Sequence, residues 1–149
     1  MVNLYNGTMS ELINVLLLLT PKNQLKFLDA SNTARQGVEK IRITVYTAIP
    51  VVDSKSGCYV GTISEGDLLW QLLDAPHQSL KDLESIKLID LIDSRKYKAM
   101  HVETPMDDLV KLIMNQNFVP IIDDRGVFMG IVTRRKVIEY YYGLTKGKI

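Results

Sequence analysis

Tyr46-Thr47-Ala48-Ile49-Pro50-Val51-Val52-Asp53 and Asn117-Phe118-Val119-Pro120-Ile121-Ile122-Asp123 are two versions of one pattern: apolar, Pro, apolar, apolar, Asp. Pro50 and Pro120 stand 70 residues apart, as do Asp53 and Asp123, so the register holds. Self-similarity at a fixed offset marks a structural unit made twice. After each Asp comes a polar turn, Ser54-Lys55-Ser56-Gly57 or Asp124-Arg125-Gly126, and then a second apolar run at 58–63 or 127–132. Short apolar runs around a Gly-containing turn predict strand, turn, strand.

A hydroxyl residue closes each pair, Ser64 or Thr133, placed to cap a helix over 67–73 or 136–142, the second stopped by Gly143. Another helix is predicted ahead of each Pro. In the second copy Thr104 is the expected N-cap with Pro105 at the first helical position, and Leu109, Leu112 and Ile113 share a stripe. In the first, Ser31 is the expected cap ahead of Ala34, Val38, Ile41 and Val45. A short extended run leads into each helix, Leu25-Lys26-Phe27-Leu28 or Lys98-Ala99-Met100-His101-Val102. Asp74-Ala75-Pro76-His77-Gln78-Ser79 has linker composition, and 80–92 reads as a helix entering the second copy. The expectation is a mixed α/β (α+β) fold of two tandem βαββα units related by a pseudo-two-fold: 12–75, a linker and helix at 76–88, and 89–143. Two such units that bury their apolar sheet faces together would leave a cleft on the axis between them.

Composition narrows the function. Eighteen basic and 17 acidic residues give a net charge of +1, which disfavours a nucleic acid polymer as partner. Cys58 is the single cysteine, and with only His77 and His101 beside it no metal-ligand spacing is recognisable. The run Ile13-Asn14-Val15-Leu16-Leu17-Leu18-Leu19 is far short of the ~20 residues that span a bilayer, and no basic region precedes it. It reads as core, and a cytoplasmic location without membrane partner is expected. No phosphate-binding Gly-rich loop, dinucleotide fingerprint, nucleophile elbow or zinc-protease motif occurs, so an enzyme is not expected. Asp107-Asp108, and Asp90 with Asp93, fall near predicted helix starts, where acids favour the helix dipole. Tyr140-Tyr141-Tyr142 point in three directions on a helix and read as a helix end at the surface.

The repeated strand, followed by Gly61-Thr62-Ile63-Ser64-Glu65-Gly66-Asp67 or Gly130-Ile131-Val132-Thr133-Arg134-Arg135-Lys136, resembles the CBS (cystathionine β-synthase) domain, and the likeness runs over roughly residues 12–143. The resemblance implies a CBS pair, or Bateman module, that binds AMP, ADP, ATP, S-adenosylmethionine or cyclic di-AMP and regulates a partner. It implies that residues just before the Pro hold adenine through backbone groups, that the Ser or Thr touches phosphate, and that the Asp three positions later reads the ribose. With nothing attached to the pair, the chain is similar to stand-alone Gram-positive CBS proteins, several of which are cyclic di-AMP receptors. The combination of Tyr46-Thr47-Ala48-Ile49-Pro50 with Thr133-Arg134-Arg135 is similar to that subgroup.

Lys136 stands where the family has Asp. Three cations in the first turn of a helix oppose its dipole, and a docked phosphate would reverse the sign, taking bonds from free N–H groups, the Thr133 hydroxyl and the Arg134 or Arg135 guanidinium. The plain alternative is that some of these cations only face water. Tyr46, Thr47 and Ala48 fill the adenine position, with Thr20 and the strand from Gln24 through Lys26 to Phe27 as the opposite wall by analogy. Tyr46 read alone is more often a packing residue, so the weight falls on the set. A second site would use Ser64, Asp67, Phe118 and Val119, with 94–99 as its wall, although Ser64 and Asp67 can equally form a capping box that needs no ligand. The function expected is a homodimeric regulatory protein that binds cyclic di-AMP and modulates an unnamed protein partner. An AMP/ADP/ATP sensor and a ligand-free interaction module are the alternatives.

Overall fold

The computed structural model describes residues 15–74, 79 and 81–147; Ile13, Asn14, Leu80 and most of the expected linker, His77 included, lie outside the described residues. The named elements run β1 (Thr20–Pro21), β2 (Leu28–Asp29), α1 (Ala34–Arg42), β3 (Ala48–Val52), β4 (Tyr59–Ser64), α2 (Glu65–Asp74), β5 (Met100–His101), α3 (Met106–Ile113), β6 (Phe118–Ile122), β7 (Phe128–Thr133) and α4 (Arg134–Thr145). The order βαββα therefore occurs twice, β2 to α2 and β5 to α4.

The chain divides in space into two compact units: Lys26–Tyr97, the central unit, and Met1–Leu25 with Lys98–Ile149, the terminal unit. In the central unit β3 lies between β2, parallel to it at Leu28↔Val51, and β4, antiparallel to it from Ala48↔Ser64 to Val52↔Tyr59. The terminal unit repeats this: β6 lies between parallel β5 (Met100↔Ile121) and antiparallel β7 (Phe118↔Thr133 to Ile122↔Phe128). Each antiparallel ladder shifts register at the same place, between Val51 and Val52 or Ile121 and Ile122. The hairpins turn at Gly57 and Gly126, both with φ 78, a conformation that glycine adopts without steric cost. Asp53 N–H donates to Cys58 O (2.9 Å) and Asp123 N–H to Val127 O (3.1 Å), so the first turn is one residue longer. Positions after the turns are therefore offset by 69 residues rather than 70.

Each unit has its own core. Leu28, Ile49, Val51, Ile63, Leu68, Leu83 and Leu88 are buried together in the central unit; Val15, Leu109, Val119, Ile121, Val132 and Val137 in the terminal one. At 1.5–3 kcal/mol for each large aliphatic side chain removed from water, roughly, these clusters are the main stabilising term.

The spatial division departs from the boundaries expected from the repeat. The stretch up to Leu25 belongs with the second copy, because β1 adds antiparallel to β7 (Thr20↔Ile131, Pro21↔Gly130). The stretch ahead of the second copy belongs with the first. Matching glycines admit both segments: a Cβ on Gly130 would lie 2.1 Å from Thr20 O, and one on Gly61 2.6 Å from Ile92 Cγ2.

Local structure corrects five expectations. Thr33, not Ser31, caps α1: its hydroxyl accepts from Gln36 N–H and Gln36 Oε1 accepts from Thr33 N–H, a capping box, whereas the Ser31 hydroxyl bonds Asp29. Val45 lies beyond α1 and is exposed. Pro105, not Thr104, holds the cap position of α3. Residues 80–92 do not form one helix; short 3-10 turns at Asp82–Ser85 and Leu88–Leu91 flank an extended Ile86, whose carbonyl accepts from Ala34 N–H (2.9 Å). Burying Leu83 and Leu88 while tying this strand-like link to the start of α1 outweighs helix propensity. Gly143 does not stop α4, which runs to Thr145 and ends before Gly147 (φ 66).

Candidate functional site

In the terminal unit, Thr133 ends β7 and caps α4: its hydroxyl accepts from Lys136 N–H (3.2 Å). No acid occupies the first turn of α4. Arg134 donates its backbone N–H to Asn117 O and its Nε to Ile113 O, both at 2.9 Å, which closes the C-terminal end of α3. The two terminal guanidinium nitrogens of Arg134 have no partner among the described residues. Arg135 points elsewhere, into an i,i+4 ion pair with Glu139 (2.9 Å), its side chain 88% exposed. Thr20 is half-buried in β1, and Gln24 is exposed in the 3-10 turn Lys22–Gln24. Phe118 and Val119 are buried, so only their backbone could meet a ligand.

In the central unit, Lys26 is exposed just ahead of β2, and Tyr46 and Thr47 are exposed just ahead of β3, which Ala48 begins. Thr47 O accepts from Glu65 N–H (2.9 Å), as Asn117 O does from Arg134 N–H, so the two copies share this tie. Ser64 and Asp67 form the capping box: Asp67 N–H donates to Ser64 Oγ (3.2 Å) and Ser64 N–H to Asp67 Oδ2 (2.9 Å). The other carboxylate oxygen, Oδ1, takes the Lys96 ammonium at 2.7 Å, and the Asp67 side chain is only 5% exposed. Lys96 was not foreseen, because its partner lies 29 residues away. Ahead of it, Arg95 grips Asp93 through Nε and backbone N–H, and that hydrogen-bonded guanidinium holds the Asp93 carboxyl down at about 2.

The two helix starts are thus opposite in kind. Asp67 closes the first on itself with an ion pair; Lys136, 69 residues on, leaves the second with cations and no acid, its Arg134 and Lys136 N–H groups bonded to Asn117 O and the Thr133 hydroxyl. An anion is favoured at the second by charge and dipole together.

Two further polar groups escaped the sequence reading. Gln116, at the position that Tyr46 holds in the first copy, is buried, and its amide bonds the main chain of Lys98 and Phe118. Its only signal in the sequence is a carboxamide beside a buried strand. His101, Glu103 and Asp124 come together although their spacing shows no metal motif. The His101 Nδ1 accepts from Glu103 N–H (3.1 Å), so Nε2 carries the proton and faces Asp124 Oδ1. With both nitrogens engaged, the ring fastens β5 to the β6–β7 turn rather than standing free as a ligand. In the first copy Asp29 makes the same fastening, to Ser54 N–H (2.9 Å).

A family model described as CBS domain matches residues 89–143. No curated protein matches the chain. Among solved structures, the chain is similar to a CBS domain protein from Streptococcus pneumoniae at 21% identity, with 92% of this chain and 95% of that one covered and a TM-score of 0.79. It is similar to CbpB from Listeria monocytogenes in complex with c-di-AMP at 20% identity, 89% and 98% coverage and a TM-score of 0.78. To CBSX2 in complex with AMP the values are 22%, 88% and 97%, and 0.71. Residues 89–143 thus match the CBS domain model, and the chain has the fold of the CBS-domain proteins it is similar to.

Proposed function

We propose that this chain binds an adenine nucleotide, cyclic di-AMP first among them, and regulates a protein partner without reacting on the nucleotide. The observation that carries the reading is the start of α4: Thr133 with the cations Arg134, Arg135 and Lys136, no acid in the turn, and the terminal nitrogens of Arg134 without a partner among the described residues. Phosphate is assigned to Thr133, Arg134 and Arg135. Adenine is assigned to Tyr46, Thr47 and Ala48, with Thr20, Gln24 and Lys26 as further contacts. The likeness in fold to CbpB with c-di-AMP supports this choice of ligand. A cytoplasmic homodimer fits the apolar residues left exposed at matching places, Leu69 and Leu73 on α2 and Ile138 and Tyr142 on α4.

A second reading, an AMP/ADP/ATP sensor acting at Ser64 and Asp67, draws on the likeness to CBSX2 with AMP and requires the Asp67–Lys96 pair to open. Calorimetric titration with cyclic di-AMP, AMP, ADP and ATP separates the readings. Cyclic di-AMP is expected to bind tightest, and Arg134→Ala with Arg135→Ala to weaken it at least about a hundredfold, two charge-assisted contacts being lost. Equal binding by the folded double variant overturns the phosphate assignment.

A further inference from the structure

Gln116 does within the terminal unit what the edge of an adenine would do there. Its side chain is 5% exposed; Oε1 accepts from Lys98 N–H (3.1 Å), and Nε2 donates to Lys98 O and Phe118 O, both at 2.9 Å. A carboxamide offers one acceptor beside one NH2 donor. Adenine offers the same pair along the edge that carries its amino group, a ring nitrogen beside NH2, and one peptide N–H with its own C=O can satisfy either. In the first copy the matching position holds Tyr46, 42% exposed, whose phenol cannot make that paired bond.

We propose that Gln116 is a built-in base mimic that fills the adenine-reading backbone of the second copy, so that each chain takes one nucleotide, at Tyr46, Thr47 and Ala48, rather than two. The inference rests on the reading above, in which backbone ahead of the strand proline holds adenine. The tethered amide competes with any free base from a high effective concentration.

The test is calorimetric stoichiometry of the full chain with cyclic di-AMP, AMP and adenosine, for the wild type, Gln116→Ala and Gln116→Tyr, the last placing the first copy's residue in the second. One equivalent per chain is expected for the wild type and two for each variant. Two equivalents on the wild type, or one on a variant that circular dichroism shows to be folded, overturns the proposal. Tyr46→Gln is the reciprocal change at an exposed position: it is expected to bind about tenfold more weakly than Tyr46→Ala, by installing the plug in the first copy. Parity of those two overturns the proposal even where the Gln116 variants do not fold. If neither the wild type nor the variants bind any of the three ligands, the nucleotide reading itself fails; a wild type that binds one equivalent beside folded variants that gain none removes the plug alone.

Discussion

Gly130→Ala is expected to detach β1 from β7. Gly130 has φ 153, within the region that only glycine occupies readily, and forcing a Cβ into it costs about 1–3 kcal/mol in strain. The new Cβ would also stand 2.1 Å from Thr20 O and 3.0 Å from Pro21 Cα. Both atoms are backbone, so no side chain can swing aside and the strand itself must move. Each ladder hydrogen bond given up removes a further ~1 kcal/mol. The total, about 3–5 kcal/mol, is a large part of the roughly 5–15 kcal/mol that stabilises an ordinary domain. For a chain of this size it lowers Tm by roughly 10 °C. Urea unfolding gives the free energy, and hydrogen exchange at Thr20 and Ile131 reports the strand directly. Gly61→Ala is the control: its Cβ meets Ile92 Cγ2 at 2.6 Å, a side-chain atom, so the cost is about 1–3 kcal/mol and Ile92→Ala relieves it. A Gly130→Ala protein within about 1 kcal/mol of wild type, with its β1 amides still protected, refutes the reasoning.

Asp67→Ala removes one side of the capping box and leaves Ser64 N–H without its acceptor, which is expected to cost about 2 kcal/mol in urea unfolding. The Lys96 pair adds little to that figure because Lys96 is 40% exposed and screened by water. Acid stability follows from three carboxyls held below their ordinary value: Asp93 by the bonded Arg95, Asp29 first by the Ser31 hydroxyl, and Asp123 first by Val127 N–H. A folded value below the unfolded one means that the unfolded chain binds more protons as pH falls. Their contribution is therefore complete above the ordinary value of 3.8 and fades as pH drops below it, that of Asp93 toward about 2. Tm is expected to fall over that window, less steeply in Asp93→Asn; an unchanged slope in that variant contradicts the assignment.

What the sequence made legible is what depends on neighbours in the chain. The repeated proline strands, both hairpins, and the caps at Ser64 and Thr133 rest on spacing and local hydrogen bonds, and each is found where the pattern places it. Distant partners were not legible. The fastening of Ile86 to α1, the approach of Thr20 to Gly130 and the bond from Lys96 to Asp67 join segments far apart in sequence, and nothing in the periodicity of either partner announces the other. Of the candidate residues, Thr133 was legible as a cap, but Arg134 and Arg135 looked interchangeable. Only side-chain placement separates Arg134, anchored on Ile113 O, from Arg135, which pairs along its own helix. Gln116 was passed over because a lone amide next to an apolar strand carries no pattern.

The prolines that revealed the repeat also shield it. Val52 O accepts from Ala30 N–H on the β2 side of β3, and strand alternation directs the nitrogen of Pro50 to that same side, ahead of Leu28, the first residue of β2 and the partner of Val51. Val102 N–H and Ile122 O set the same geometry for Pro120. At both prolines the donor that an invading chain would need does not exist. Proline there works as a safeguard against aggregation, denying that side of the middle strand to another polypeptide.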